Sequence, residues 1–205
     1  EVFTIPEGFS YYPIYIFRKA RPKYMAFAAV TAWHLNMWYR DNQFCGRCGK
    51  RMTPDHKERM MHCSCGNMVY PRISPAVIVG ITNGSKLLLT KYAYGEYKNY
   101  SMVAGFTEIG ETLEQTAERE VMEEVGLKVK NIRYYKSQPW GLSGSLLAGF
   151  FCDLDGDDRI TLQEDELKEA EWVEAGDIPP KGDGISLGQE MMQVFRKAHM
   201  GNEEE

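Results

Sequence analysis

The stretch that decides the fold runs from Gly105 to Leu127 and reads GFTEIGETLEQTAEREVMEEVGL. Thr112, followed three residues later by Gln115, has the pattern of a capping box and predicts the start of a helix. Gly126 suits the position that ends a helix in a left-handed conformation. The apolar residues in between recur every four positions: Leu113, Ala117, Val121 and Val125. This spacing predicts an apolar stripe that packs against a sheet.

Three carboxylates lie on one side of the same predicted helix. Glu120, Glu123 and Glu124 are three and four residues apart, so their side chains project together. Like charges at this spacing destabilise an isolated helix by about 0.2–0.5 kcal/mol per pair. A hard divalent cation such as Mg²⁺ or Mn²⁺ prefers oxygen ligands and reverses that repulsion. For a generic ExxEE pattern a solvated acidic face is the more common explanation. The spacing of residues over the whole stretch from Gly105 to Leu127 must therefore decide between such a face and a metal site.

Apolar and alternating runs on both sides of this stretch predict strands. Residues 76–81 and 86–91 flank Asn83-Gly84, a dipeptide typical of a hairpin turn. Further strands are expected at 101–105, 128–137, 145–154 and 170–174, and helices at 23–41 and 190–200. Strands and helices mixed in this order predict an α/β fold with a mixed sheet covered by helices.

Four of the five cysteines are clustered in two pairs. Cys45-Gly-Arg-Cys48 has the spacing of a knuckle that wraps a tetrahedral metal ion. The second half, His62-Cys63-Ser64-Cys65, has one residue between its cysteines instead of two. Two ligand sets therefore stay open: Cys45 and Cys48 with Cys63 and Cys65, which we favour, or with His62 and Cys65. Neither set leaves an open coordination position, so we predict a structural Zn²⁺ in a zinc ribbon.

Bulk composition sets weaker bounds on function. Of the 205 residues, 43% are hydrophobic and 26% charged, which is ordinary for a globular protein. The net charge of -5 gives no general reason to expect nucleic acid, yet residues 42–72 carry six basic and two acidic side chains, a local charge of +4. The most apolar run, 24–39, is too short to cross a bilayer, so no membrane association is predicted. Clustered thiols are typical of a reducing compartment, which favours a cytoplasmic location.

The stretch from Gly105 to Leu127 resembles the Nudix hydrolase signature, G-x5-E-x7-R-E-U-x-E-E-x-G-U, at every defined position (U is a bulky apolar residue). The resemblance covers roughly residues 74–200 and implies an α/β/α sandwich with a mixed sheet. It also implies hydrolysis of a nucleoside diphosphate linked to another group, by attack of water on phosphorus. The implied catalytic cofactor is Mg²⁺ or Mn²⁺.

Carried over by position, the resemblance assigns roles within the stretch. Glu120, Glu123 and Glu124 are the implied metal ligands, and one of them or a further glutamate is the implied general base. Arg119 is expected to orient the carboxylates. Glu111, together with Gly105, is expected to shape the loop before the helix.

A zinc ribbon directly before such a domain resembles the NADH pyrophosphatase family. Residues 32–45 resemble the segment that leads into the ribbon, and Tyr70-Pro71-Arg72 resembles its exit. The family array SQPWPFPxS compares with Ser137-Gln138-Pro139-Trp140-Gly141-Leu142-Ser143-Gly144-Ser145, in which the PFP centre differs. Substrate contacts are then implied for Phe106, Tyr70, Gln138, Trp140 and Ser145, with Phe106 and Tyr70 as stacking residues. An additional metal-site carboxylate is implied at Glu169.

This second resemblance implies a substrate. NAD(H)-like dinucleotides would be split to nicotinamide mononucleotide and AMP, and some relatives of the family remove NAD caps from RNA. The altered array keeps another hypothesis open, in which the substrate is ADP-ribose or a different nucleoside diphosphate derivative. A third hypothesis is a regulator whose basic ribbon binds RNA while the second domain senses a nucleotide, but the complete carboxylate set argues against it. Family members are homodimers, so a homodimer is implied.

Three segments are expected along the chain. Residues 1–41 form an aromatic-rich segment and helix, residues 42–72 the zinc ribbon, and residues 73–205 the Nudix domain. The large N-terminal domain of the family is mostly absent or shortened to the first segment. Since the sequence starts at Glu1 without a Met, further sequence upstream is expected.

Overall fold

The structure is a computed structural model that describes residues 4–93, 99–163, 165–180 and 184–200. The chain divides into two compact units. The first comprises residues 1–73 with 141–144, and the second comprises 74–140 with 145–205. The expected division into 1–41, 42–72 and 73–205 stays a prediction, and the two units are described in turn.

The first unit starts with a 3₁₀ turn at Ile14–Arg18 and helix α1 at Lys23–Asp41, where a helix was predicted. The broad apolar face of α1 is only partly covered, because its buried residues are Ala26, Val30 and Trp38. Tyr24, for example, is 74% exposed. Residues 141–144 lie against α1, where Nε2 of His34 is 2.5 Å from the carbonyl oxygen of Gly141. A Cβ on Gly141 would lie 2.5 Å from Cγ2 of Val30, so only glycine allows this approach.

The ribbon in this unit is a three-stranded antiparallel sheet of very short strands. These are β1 (Thr53–Pro54), β2 (Met61–His62) and β3 (Met68–Val69), in that order. Their core consists of five buried residues, Trp38, Cys45, Met52, Met61 and Cys63. So small a core does not stabilise a sheet by burial alone, which is why domains of this size usually depend on a metal or disulfides.

The second unit is built on a six-stranded sheet. Its strands are β4 (Ser74–Asn83), β5 (Lys86–Tyr92), β6 (Val103–Phe106), β7 (Val129–Trp140), β8 (Ser145–Leu154) and β9 (Leu167–Glu174). The order is β7-β8-β4-β5-β9, and β6 pairs with β4. The pairing of β4 with β8 is parallel and the other pairings are antiparallel, so the predicted mixed sheet is confirmed.

One helix covers each face of this sheet. Because side chains alternate along a strand, Val77, Val79 and Ile81 of β4 point to one face and Ile78 points to the other. The first group packs with helix α2 (Leu113–Val125), and Ile78 packs with helix α3 (Leu187–Met200). The predicted α/β/α sandwich is therefore confirmed. No helix among the described residues is long and apolar enough to cross a membrane.

Candidate active site

Helix α2 presents the predicted carboxylates, and its two ends are fixed by local hydrogen bonds. The side chain of Thr112 accepts a bond from the backbone N–H of Gln115, and the Gln115 side chain accepts one from the backbone N–H of Thr112. This is the predicted capping box, which typically stabilises a helix by about 1 kcal/mol. Gly126 ends the helix with a φ of 69°, and Val121 and Val125 are fully buried against the sheet. The carboxylate side of the helix is thereby held at a constant orientation.

The guanidinium of Arg119 joins these carboxylates to the loop before the helix. It donates two hydrogen bonds to Glu111, at 2.6 and 3.0 Å, and one to the carbonyl oxygen of Phe106 at 2.9 Å. Its Nη1 donates to Glu120 at 2.7 Å and to Glu123 at 2.8 Å. The hydrogen bonds from Arg119 to Glu111 lower the pKa of the Glu111 carboxyl to about 2, so Glu111 stays ionised. The Arg119 guanidinium thus links the loop before the helix to the carboxylates.

Gly105 provides the space in which the Glu120 carboxylate lies. A Cβ built on Gly105 would come within 2.0 Å of the Glu120 carboxylate carbon, so any larger residue would force that carboxylate to move. Glu120 is 8% exposed, and burial raises the pKa of its carboxyl. The glycine that opens the stretch therefore lets the Glu120 carboxylate lie against β6.

Glu124 is the most deeply buried acid of the group. It is 2% exposed, and its Oε1 accepts a bond of 3.3 Å from the backbone N–H of Ala104. Its Oε2 is buried and has no hydrogen-bond partner among the described residues. Burial raises the pKa of the Glu124 carboxyl to about 8. An unpartnered buried carboxylate oxygen beside two further carboxylates is a donor set that fits a hard divalent cation.

The segment that holds the predicted Glu169 brings a further carboxylate charge to this group. Glu169 pairs with Lys91 at 2.6 Å on the neighbouring strands β9 and β5. The charge of Glu166 acts on both Glu120 and Glu124 and helps to raise the pKa of each. Glu166 was not among the residues predicted from the sequence, because both glutamates lie in the segment Glu166-Leu167-Lys168-Glu169 and spacing alone does not distinguish them.

The four clustered cysteines meet in the first unit. The sulfur atoms of Cys45, Cys48, Cys63 and Cys65 all lie within 4.8 Å of one another, and His62 is not part of the group. Cys45 and Cys65 are 3.7 Å apart, and Cys48 and Cys63 are 3.5 Å apart. Four thiols at this separation fit a tetrahedral metal ion, and of the two ligand sets the structure assembles the one with Cys63. Cys152 lies apart from them, buried in β8.

The expected stacking residues are both exposed. Phe106 ends β6 and is 56% exposed, so it is not a core residue. Tyr70 follows β3, is 51% exposed, and donates a hydrogen bond of 2.6 Å from its hydroxyl to Glu58. A flat apolar ring open to solvent is available for stacking on an aromatic base, as both assignments require.

The residues of the SQPW array lie at the β7–β8 end of the sheet. Trp140 pairs with Ser145 across the two strands, and Ser145 is buried. The side-chain amide of Gln138 donates a bond of 2.6 Å to the carbonyl oxygen of Ile185. Gln138 is therefore engaged with the segment before α3.

A separate cleft of about 610 Å³ lies where β4 and β8 end, and it includes Thr82, Asp153 and His199. Its principal charges already neutralise each other, since Arg133 donates to Asp153 at 2.8 and 3.0 Å. None of the predicted site residues lines this cleft.

Solved structures share this fold. A Nudix hydrolase from Nitrosomonas europaea superimposes with a TM-score of 0.64 at 22% identity, covering 77% of this chain and 92% of that one. A second Nudix hydrolase from the same organism has a TM-score of 0.50 at 23% identity and covers 62% and 89%. At these identities the likeness concerns the fold alone.

Comparison of amino-acid sequences finds relatives at higher identity than these solved structures. Proteins named NAD-capped RNA hydrolase NudC are 42% identical over 177 residues in Actinobacillus succinogenes and 39% identical over 168 residues in Pseudomonas entomophila. The matches cover 80% and 82% of this chain, but only 67% and 60% of those proteins. The chain thus spans about three fifths of the length of such relatives. The NADH pyrophosphatase zinc ribbon domain matches residues 40–70, and the NUDIX domain matches residues 72–193. Since the second match covers more than half of the chain, this protein belongs to the Nudix hydrolase family.

Proposed function

We propose that this protein hydrolyses the diphosphate linkage of NAD(H)-like dinucleotides, giving nicotinamide mononucleotide and AMP. The observation that carries the proposal is the carboxylate group around Glu124, whose buried Oε2 has no partner among the described residues. The choice of substrate is supported by the NADH pyrophosphatase type of ribbon and by relatives that are named for NAD-capped RNA. NAD caps on RNA are accordingly a second form of the same substrate.

Each part of the site has a task in this reaction. Glu120, Glu123 and Glu124, with Glu166 in place of Glu169, would hold Mg²⁺ or Mn²⁺. The ion would stabilise charge on the phosphates and lower the pKa of the attacking water. Arg119 keeps the carboxylates at fixed positions, so they need not reorganise during the reaction.

The rings and the array orient the substrate in this proposal. Phe106 and Tyr70 stack on nicotinamide or adenine, whose flat faces match exposed aromatic side chains. Trp140, Gln138 and Ser145, at the β7–β8 end of the sheet, contact the substrate in this proposal. A glutamate that the ion leaves free accepts the proton of the attacking water.

The four cysteines hold Zn²⁺, which is structural because no coordination position stays open. Reduced thiols of this kind persist in a reducing compartment, which supports a cytoplasmic location. A homodimer is proposed on the resemblance to the NADH pyrophosphatase family, and it offers a partner for the exposed apolar residues of α1.

The first prediction concerns Glu124. Replacing it by glutamine, Glu124→Gln, removes one charge with little change in volume, and we expect turnover to fall by about 10²-fold or more, comparable to the loss of other groups that stabilise charge in a transition state. Steady-state hydrolysis with Mg²⁺ or Mn²⁺ is the measurement. Glu118→Gln is the matched control, since Glu118 is an exposed glutamate of the same helix. Near-normal turnover of a folded Glu124→Gln protein would contradict the site.

The second prediction separates Glu166 from Glu169. Because the Glu166 charge reaches Glu120 and Glu124 while Glu169 pairs with Lys91, Glu166→Gln should weaken activation by Mn²⁺ by about tenfold or more. Glu169→Gln should change it by less than about threefold, a change within the range of an exposed ion pair. A metal titration of activity measures both. The reverse order would return Glu169 to the metal site.

The third prediction concerns zinc. Cys48→Ser should lose zinc and lower the free energy of unfolding, because ribbon folding is coupled to metal binding. Elemental analysis and thermal unfolding are the measurements, and Cys152→Ala is the matched control that should retain zinc. Cys63→Ser should lose zinc as well, whereas His62→Ala should keep it. Freshly purified protein without stoichiometric zinc would contradict the proposal.

The fourth prediction concerns substrate choice. Since Gly141-Leu142-Ser143 replaces the PFP centre of the family array, we expect NADH and NAD⁺ to be preferred, but with weak discrimination against related dinucleotides. The comparison is kcat/KM for NADH, NAD⁺, ADP-ribose and diadenosine diphosphate under one metal condition. If ADP-ribose exceeded NADH by more than about tenfold, which is roughly 1.4 kcal/mol in transition-state binding, ADP-ribose hydrolysis would replace the proposal.

A further inference from the structure

Residues 141–144 connect β7 to β8 and form the centre of the SQPW array. We call these four residues the array loop. Contacts within the chain group the loop with the first unit, which contains helix α1. The residues directly before and after it, Trp140 and Ser145, pair across the two strands. The conformation of the array loop therefore determines what the centre of the array presents to a substrate.

The amino acids of the array loop do little to fix its conformation. A proline, as in the PFP centre of the family array, fixes φ near about −65°, whereas glycine loses more conformational freedom on folding than any other residue. Here the loop begins with Gly141 and ends with Gly144, and Gly144 has a φ of 72° in the left-handed region. A loop of this composition keeps one conformation only if other parts of the chain hold it.

Helix α1 holds the start of the array loop by a hydrogen bond. Val30 and His34 are one turn apart on α1, so their side chains lie on the same side of the helix. Nε2 of His34 is 2.5 Å from the carbonyl oxygen of Gly141. Because a carbonyl oxygen can only accept, this ring nitrogen carries the hydrogen and donates it.

The same side of α1 also packs against both ends of the loop. Val30 is 5% exposed, and its Cγ2 would lie 2.5 Å from a Cβ on Gly141. A branched side chain in a helix has little rotational freedom, so this methyl group has a fixed position. At the other end, Cε1 and Nδ1 of His34 would lie 3.4 Å from a Cβ on Gly144. His34 is therefore in contact with the loop at its first and last residues.

We propose that His34 is a positioning residue for substrate binding, which holds the array loop in the conformation that receives a dinucleotide. In this role it takes the place of the two prolines of the family array. The inference rests on the proposed function, because the array contacts a substrate only if the protein acts on such a dinucleotide. His34 acts through the loop and touches neither the substrate nor the metal ion.

This role predicts a particular change in the kinetics. A loop that is ordered beforehand loses little further freedom when the substrate binds, whereas a released loop must be ordered during binding, which weakens it. The carboxylates on α2 would not be affected. Loss of the contact should therefore raise KM and leave kcat nearly unchanged, as expected when an interaction contributes equally to the ground state and the transition state.

The first test removes and restores the hydrogen bond. His34→Ala should raise KM about fivefold, within the range of one lost hydrogen bond, for whichever dinucleotide has the highest kcat/KM. Its kcat should change by less than about twofold. His34→Gln should return KM to within about twofold of the unsubstituted protein, because the glutamine amide supplies an N–H donor. Asn36→Ala is the matched control, since Asn36 is exposed on α1 but lies on another side of the helix.

The second test approaches the contact from the loop. Gly141 does not have a positive φ, so Gly141→Ala strains the contact with Val30 and not the backbone. It should push the loop away from α1 and raise KM at least as much as His34→Ala. Val30→Ala removes the obstructing methyl group and leaves the two Cβ atoms 3.3 Å apart. The double variant should therefore have a KM within about twofold of that of Val30→Ala alone.

Amide hydrogen exchange measures the loop independently of activity. A peptide that spans residues 140–145 should exchange faster in His34→Ala and Gly141→Ala than in the unsubstituted protein and in His34→Gln. A peptide from helix α2, Leu113–Val125, should exchange at the same rate in all four proteins. Faster exchange in both peptides would indicate general destabilisation and would contradict a role of His34 in positioning.

Other outcomes would also overturn the proposal. An unchanged KM in His34→Ala means that the contact does not serve substrate binding, whether or not the loop exchanges faster. A His34→Gln protein that resembles His34→Ala excludes the hydrogen bond as the cause. If the unsubstituted protein hydrolyses none of the dinucleotides, the proposed function fails, and the role of His34 in substrate binding fails with it. The exchange rates would then still show whether His34 holds the loop.

Discussion

The candidate active site depends on the hydrogen bonds that the guanidinium of Arg119 donates. Three glutamates on one side of α2 repel one another, yet Arg119 donates hydrogen bonds to two of them, Glu120 and Glu123, and to Glu111 before the helix. Its further bond to the carbonyl oxygen of Phe106 ties the same group to strand β6. A lysine carries the same charge, but it lacks the fixed fork of five donors that reaches these acceptors at once. The positions of the acids are therefore set before any substrate arrives.

Glu124 shows why this arrangement calls for a cation. A buried polar atom without a hydrogen bond typically costs about 1–3 kcal/mol, and more when it is charged. Burial accordingly raises the pKa of the Glu124 carboxyl to about 8. A divalent ion at this oxygen would remove the penalty by supplying the missing partner. The burial that destabilises the ionised carboxylate alone thus favours the loaded site.

The features of α2 that local spacing determines could be predicted from the sequence. The capping box, the apolar stripe of α2 and the shared side of its glutamates all follow from helical periodicity, and the structure has each of them. Contacts that depend on long-range packing could not be predicted in this way. Glu166 and Glu169 are three residues apart, and only the pairing of β9 with β5 directs Glu169 to Lys91. Likewise, the spacing alone could not exclude His62 as a ligand, since the choice depends on how the second knuckle folds back onto Cys45 and Cys48.

In contrast to the second unit, the ribbon has a small core beside a largely exposed surface. Strands of two residues and a core of five buried side chains give it little stability of its own, so a metal ion held by four thiolates would supply what burial does not. A sheet that is stabilised by metal ligands in its knuckles need not bury both faces. Phe44 and Met68 of the ribbon can therefore stay exposed without a loss of fold, whereas a sheet stabilised by a layered core would have to cover them.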